Sequence, residues 1–227
     1  MFLTDDIIYY LCAILSFVPA LVLHEVAHGL AAYKLGDPTA KRAGRLSLNP
    51  LKHIDPFGTV LLPLMLMIAH MPMFGYAKPV PYDPHYFKDA RTGDFITGIA
   101  GPLANLLLAG AAALLAWALY DVAPGLLGNE LFRIFYLTFL PMFALTNLYL
   151  MFFNLLPIPP LDGSSIFALL LPKRYLPRYY SIQQYAFPVF MIVIIVFPYL
   201  FGFNPFSWYL DLTAGNLANL LFPFRIA

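Results

Sequence analysis

The sequence has 227 residues, of which 61% are hydrophobic, 17% aromatic and only 11% charged. Soluble domains have about 45–50% apolar and about 25% charged residues, so this composition excludes an ordinary water-soluble globule. A net charge of +1 excludes a nucleic-acid footprint, and the single cysteine, Cys12, excludes a disulfide framework or a cysteine-based zinc cluster. We therefore predict an all-α integral membrane protein that crosses the bilayer several times.

Four apolar segments are long enough to cross a hydrocarbon core, which takes about 20 helical residues. They cover residues 7–33, 95–120, 131–156 and 182–203. Residues 57–73 are shorter and contain two prolines, so we expect a re-entrant element or a short span there. Residues 205–222 mix aromatic and polar side chains, which is typical of a helix at the membrane interface. We expect a single membrane-embedded domain over 1–227, without a cleavable signal peptide.

The basic residues predict the orientation, because Lys and Arg accumulate in cytoplasmic loops. Most of the 13 Lys and Arg lie between the first two predicted spans, and a second cluster follows the third span at 173–178. The link 121–130 has none. The N-terminus is therefore expected outside and the long loop inside the cell membrane of a prokaryote. This scheme requires residues 57–73 to enter and leave on the same side.

The first predicted span contains the sequence His24-Glu25-Val26-Ala27-His28. Two histidines four residues apart on a helix project from one face, about 6 Å apart at Cβ, as a divalent metal requires. Glu25 then lies beside the metal without being needed as a ligand. Such residues are costly to bury in lipid unless they bind something, so we predict a metal site. A hydrogen-bonded pair of core histidines is the alternative.

A catalytic zinc takes a third protein ligand and keeps one position open for water. The sequence does not match the extended motif HExxHxxGxxH, because Ala31 and Lys34 stand where the motif has its glycine and its third histidine. The candidates elsewhere are His53, Asp55, His70, His85 and Asp162. Asp162 is the strongest, because it follows a proline-rich break at the end of a span, and unwound backbone at membrane depth must line a cavity or be buried. Helix lengths place it and His28 about 10–15 Å below the same membrane surface.

Two further features of the sequence bear on substrate binding. The alternation of Leu46, Ser47 and Leu48 within 42–48 predicts a short strand in a cytoplasmic β-hairpin-like loop, which could pair with an unwound substrate. A hairpin that only packs over the site is the alternative. Asn154 is expected to position substrate or cap a broken helix. Asn105, four residues after Gly101, is expected to bond across a close helix contact or to position substrate.

Three motifs together resemble the site-2 protease family of intramembrane zinc metalloproteases (peptidase family M50). They are HEVAH at 24–28, AGPLAN at 100–105 and NLLPIPPLDG at 154–163, of which the last is the most specific. The resemblance implies a three-span core, one Zn²⁺ held by His24, His28 and Asp162, and Glu25 as catalytic acid and base. The chain resembles the compact members, since it leaves no room for a PDZ domain and no additional span precedes HEVAH.

The predicted function is that of a zinc endopeptidase hydrolysing peptide bonds in or near transmembrane segments of membrane-protein substrates. Its expected partners are those substrates and the lipid bilayer, with no nucleic acid. Two alternatives are a membrane metal transporter and a catalytically inactive scaffold that binds membrane proteins. A transporter needs a polar path to the outer face, and residues 7–23 supply little of one apart from Ser16.

Overall fold

The computed structural model describes residues 2–61, 65 and 78–226. Helix α1 covers Phe2–Lys34. It is apolar on all sides along most of its length, as expected of a helix surrounded by lipid and other helices. It ends where Gly36 takes a left-handed conformation (φ 104°) and the Asp37 N–H donates to the Ala32 carbonyl at 3.0 Å. The positive charge of Lys34, in the last turn, interacts favourably with the negative end of the helix dipole.

Two more long helices pack beside α1. Helix α2 covers Ala90–Leu119, and its N-cap Asp89 accepts hydrogen bonds from the Arg91 and Thr92 N–H groups. Helix α3 covers Glu130–Asn154 and includes one π-helical segment, Phe135–Phe139. Small side chains let α2 lie close to its neighbours, since helices in lipid associate through tight contacts rather than hydrophobic burial. The buried residues of this interface include Ala109, Ala112, Ala113, Ala116, Ala144 and Leu148.

Three of the four predicted spans are confirmed as helices long and apolar enough to cross a membrane. Among the described residues these are Asp6–Lys34, Ala90–Leu119 and Glu130–Asn154. The fourth predicted span, 182–203, falls largely on helix α5, Leu176–Phe201, which is not one of the three. Between α3 and α5 lies the short helix α4, Gly163–Leu170. Crossing of the membrane by α5 therefore stays a prediction.

The C-terminal residues 205–221 form α6, made of Pro205–Leu210, Asp211–Gly215 and Asn216–Leu221, the middle segment being π-helical. A helix was predicted here. One face of α6 is buried against the bundle, because Ala214 and Ala218 are fully buried among core residues. The Trp117 indole also donates to the Leu221 carbonyl at 2.9 Å. Its placement at the membrane interface stays a prediction.

The predicted strand at 42–48 is wrong. The described part of the chain contains no strand, and hence no β-hairpin; a short helix, Thr39–Arg42, is followed by turns. Gly44 takes a left-handed conformation (φ 65°), which interrupts an extended run. The buried Arg45 guanidinium donates to the carbonyls of Lys52, Lys78 and Pro79 and so joins two parts of the loop. These side-chain bonds hold the loop in place of strand pairing.

Short helical turns connect the longer helices, and most of the predicted re-entrant element cannot be compared. The turns are Pro50–Lys52, Pro84–Tyr86, Ala123–Leu126 and Lys173–Tyr175. A π-helical segment, Pro56–Leu61, occupies the start of 57–73. Apart from residue 65, the remainder of 57–73 lies outside the described residues. A re-entrant path for this segment stays a prediction.

Candidate metal centre

The two histidines of HEVAH lie on one face of α1, as their spacing predicts. Their Nε2 atoms are 3.0 Å apart, and the rings meet edge to face with centroids 4.6 Å apart. Both residues are buried. The local geometry of a helix accounts for this arrangement, because side chains four residues apart lie one above the other.

Asp162 joins the two histidines from a distant part of the sequence. After α3 ends at Asn154, three prolines prevent the helix from continuing, and the chain turns until α4 begins at Gly163. The Asp162 Oδ2 atom lies 3.1 Å from His24 Nε2 and 3.3 Å from His28 Nε2. Ligand atoms of the three residues all lie within 4.8 Å of one another. The tertiary structure therefore forms the His-His-Asp cluster.

Helix α2 supplies none of these three side chains but lies directly against them. A Cβ on Gly101 would overlap the His28 ring and stand 2.6 Å from His24 Cε1. A Cβ on Gly98 would overlap the Ser165 hydroxyl near the start of α4. Glycine at these positions therefore lets α2 approach the cluster more closely than any larger residue would. The close helix contact expected at Gly101 is present. At this position α2 contacts the rings of His24 and His28.

The hydrogen bonds on the far side of the two histidine rings determine which ring nitrogen carries the proton. His24 Nδ1 lies 2.6 Å from Asn105 Oδ1, and His28 Nδ1 lies 2.7 Å from the Thr97 carbonyl oxygen. Oxygens of this kind can only accept, so each Nδ1 must carry the proton and donate it. In the neutral ring, Nε2 then presents a lone pair to the cluster. This is the arrangement usual for metal-bound histidines, whose other nitrogen is held by an oxygen.

With both rings neutral, three acceptors thus converge without a donor between them. Asp162 Oδ2 is buried and, apart from the two ring nitrogens, has no hydrogen-bond donor. Three lone pairs at this distance repel one another unless a cation lies between them. Ligand atoms about 2.0–2.1 Å from a tetrahedral zinc lie about 3.3 Å from one another, and the observed separations of 3.0, 3.1 and 3.3 Å are close to that value. The residues fit a zinc site with one position left open.

The other described candidates for the third ligand lie elsewhere. The buried His53 ring bonds the Ser47 carbonyl through Nε2 at 2.8 Å. Asp55 accepts from the N–H groups of Phe57 and Gly58 at the start of a helical turn. The exposed His85 pairs with Asp83 at 2.7 Å. His70 lies outside the described residues. Of the candidates that can be compared, only Asp162 joins the histidine pair.

Glu25 is half-buried and contacts the loop between α1 and α2. Its Oε2 atom accepts a hydrogen bond of 2.9 Å from the Val80 N–H. Val80 is buried, and a Cβ on Gly29 would stand only 2.8 Å from its Cγ1 atom. The absence of a side chain at Gly29 therefore lets the loop approach α1 beside Glu25. Sequence reasoning did not foresee this contact, since nothing local links residue 80 to residue 25.

The two asparagines expected to position substrate lie in different surroundings. Asn154, the last residue of α3, is half-buried and donates to the Leu150 carbonyl of its own helix at 3.0 Å. Asn105 is fully buried and bonds His24. It also donates to the Ala20 carbonyl at 3.3 Å and to Asn147 Oδ1 at 2.8 Å. Asn147 was not singled out by sequence reasoning, because an isolated asparagine in a span carries no motif.

Comparison with known proteins identifies the family to which this chain belongs. The sequence profile described as Peptidase family M50 matches residues 12–197, so the chain belongs to peptidase family M50. The predicted family, of the site-2 protease type, and the predicted enzyme class, a zinc metalloprotease, are thereby confirmed at the level of the family.

Curated bacterial relatives carry names of the same kind. The chain is 36% identical over 199 residues to "Putative zinc metalloprotease YwhC" of Bacillus subtilis (strain 168), covering 84% of this chain and 85% of the relative. It is 29% identical to "Putative zinc metalloprotease Rip2" of Mycolicibacterium smegmatis, covering 92% and 80% of the two chains. The protein of that name from Mycobacterium tuberculosis (strain H37Rv) is 30% identical, with 90% and 74% covered. No solved structure matches the chain significantly.

Proposed function

We propose that this chain is an intramembrane zinc endopeptidase that cleaves peptide bonds in or near transmembrane segments of membrane proteins. The observation that carries the proposal is the convergence of three buried acceptors, from His24, His28 and Asp162, next to Glu25 on a candidate membrane span. Those three side chains would hold one Zn²⁺. Bound zinc supplies Lewis acidity, which polarises a scissile carbonyl and makes water a stronger acid.

Glu25 is proposed as the general base and acid. Its carboxylate takes a proton from the attacking water and gives it to the leaving amine nitrogen. The Val80 N–H donates to one carboxylate oxygen, which limits rotation of the side chain and leaves the second oxygen for the water. The Asn105 amide and the Thr97 carbonyl keep the ligand rings in place.

Access to the cluster is uneven, which suits a reaction that needs water. The Asp162 side chain keeps 20% of its surface exposed, whereas those of His24 and His28 keep 5% and 10%. Water and an unwound substrate segment would therefore enter from the Asp162 side. Together with the distribution of basic residues, this supports a site that opens toward the cytoplasm and an N-terminus outside the cell membrane.

The test is zinc content and cleavage of a transmembrane test substrate by the full chain in proteoliposomes. We expect one zinc per chain, loss of cleavage in Glu25→Gln and retention of zinc in that variant. Glu130→Gln is the matched control, because Glu130 is the other glutamate of the chain and is exposed at the start of α3. Full activity of Glu25→Gln would overturn the assignment.

The same preparation separates the two alternatives. Zinc accumulation inside the liposomes, abolished by His24→Ala and unaffected by Glu25→Gln, would show a transporter. Zinc-loaded protein that binds membrane-protein segments without cleaving any of them would show a scaffold. Either result would replace the proposed function.

A further inference from the structure

We propose that Asn147 is a positioning residue that fixes the tautomer of His24 through Asn105 and thereby sets the metal affinity of the cluster. The inference rests on the proposed metal site. The three residues come from three different helices: His24 from α1, Asn105 from α2 and Asn147 from α3. All of them are buried, with 0% of Asn105 and of Asn147 exposed.

The chain of hydrogen bonds has one direction, which is set at its far end. Asn147 Nδ2 donates to the Phe143 carbonyl oxygen at 2.8 Å. A backbone carbonyl can only accept, so this end of the Asn147 amide must be its NH₂ group. The Asn147 oxygen is thereby directed toward Asn105.

The next amide inherits this orientation. Asn105 Nδ2 donates to Asn147 Oδ1 at 2.8 Å and to the Ala20 carbonyl at 3.3 Å. Both hydrogens of its NH₂ group are then used, and its oxygen faces His24 Nδ1 at 2.6 Å. His24 must therefore donate from Nδ1, and the neutral ring presents the lone pair of Nε2 to Asp162 and His28.

A flipped Asn105 shows why the second asparagine matters. The flipped amide would place its oxygen against Asn147 Oδ1 and the Ala20 carbonyl, and its NH₂ group against His24 Nδ1. His24 would then carry its proton on Nε2, where it blocks the lone pair that a metal needs. Asn147 opposes this flip, because an unpaired buried amide is costly in a span surrounded by lipid.

The experiment is a double-mutant cycle on zinc affinity, measured by chelator competition on the detergent-solubilised full chain. The proteins are the wild type, Asn105→Leu, Asn147→Leu and the double variant. Loss of a group that orients a metal ligand costs about 10–100-fold in metal affinity, and we expect that loss in each single variant. Because Asn147 acts only through Asn105, the double variant is expected to bind no more weakly than Asn105→Leu.

A structural role for Asn147 would give a different pattern. If the two losses multiply in the double variant, or if Asn147→Leu leaves zinc affinity within twofold, the proposal is overturned. Asn147→Asp is the conservative variant. Its neutral carboxyl group offers the same acceptor to Asn105 and a donor to Phe143, so affinity is expected to stay within about threefold, on the scale of one weakened hydrogen bond.

Two measurements keep the result interpretable. Thermal unfolding of the zinc-free variants checks that each one folds, and Asn147→Ser replaces Asn147→Leu in the cycle if the latter does not. Histidine NMR of the zinc-free protein reports the His24 tautomer directly, and Asn147→Leu is expected to add the Nε2–H form. Zinc binding by the wild type with multiplying losses would overturn the relay alone, whereas a wild type that binds no zinc would overturn the metal site as well.

Discussion

Arg91 binds the carbonyl oxygen of Ala168 with two nitrogens, Nε at 3.0 Å and Nη2 at 2.5 Å. It lies in the first turn of α2, and Ala168 lies near the end of α4, the helix that begins beside Asp162. Arg91 also donates to the Leu169 and Leu171 carbonyls. Carbonyls at a helix C-terminus have no partner within the helix, so the guanidinium both satisfies them and ties α4 to α2.

Replacing Arg91 by lysine is therefore expected to destabilise the protein, since an ammonium cannot reproduce the planar fork of donors. Each lost charge-assisted bond is worth about 1.5–3 kcal/mol, so the midpoint of thermal unfolding in detergent should fall measurably. Arg174→Lys is the matched control, because Arg174 is exposed and stacks on the Tyr175 ring. Equal midpoints for the two variants would show that Arg91 does not hold α4.

Removal of zinc is expected to lower stability, because a metal that binds only the folded chain stabilises it by mass action. At a zinc concentration 100 times the Kd, that stabilisation is about 2.7 kcal/mol. We expect a chelator to lower the unfolding midpoint and added zinc to restore it. His24→Ala should abolish the zinc response, whereas His85→Ala should keep it, since His85 is exposed and pairs with Asp83. A zinc response that survives His24→Ala would place the metal elsewhere.

Gly101→Ala is expected to damage the cluster, because the added Cβ would overlap the ligand rings. Overpacking of this kind costs about 1–3 kcal/mol, which corresponds to about 5–150-fold in zinc affinity if the rings are displaced. Gly110→Ala on the same helix is the matched control, since a Cβ there meets nothing within 4 Å. Chelator competition on both variants tests this directly, and unchanged zinc binding by Gly101→Ala would contradict the close approach of α2.

Val80→Pro removes the N–H that donates to Glu25. Hydrogen bonds to a charged group are worth about 1.5–3 kcal/mol, so we expect kcat to fall by about 10–100-fold with one zinc still bound. Val80→Ala keeps the N–H and loses only part of the contact with Gly29, so its kcat should stay close to the wild-type value. If both variants lose the same activity, side-chain packing rather than the hydrogen bond positions Glu25.

Sequence reasoning succeeded where the determinants are local. The spacing of His24 and His28 puts them on one helix face, and runs of apolar residues predict the helices that begin at Phe2, Ala90 and Glu130. It failed at 42–48, where alternation favoured a strand. There Gly44 turns the chain, and Arg45 binds carbonyls more than thirty residues away, at Lys78 and Pro79. A pattern of side chains within one segment carries no information about such a partner.

Composition and spacing by themselves determined the membrane class, the helical spans, the histidine pair and the neighbouring Glu25. The sequence already favoured Asp162 among the candidates for the third ligand. The tertiary structure brings its carboxylate to the histidine pair, and it alone placed Asn147 behind Asn105 and Val80 beside Glu25. The physical reason is range. Helix periodicity relates residues a few positions apart, whereas the cluster is assembled by contacts between α1, α2, α3 and α4. The close approach of these helices depends on glycines at their contacts and on buried hydrogen bonds between helices.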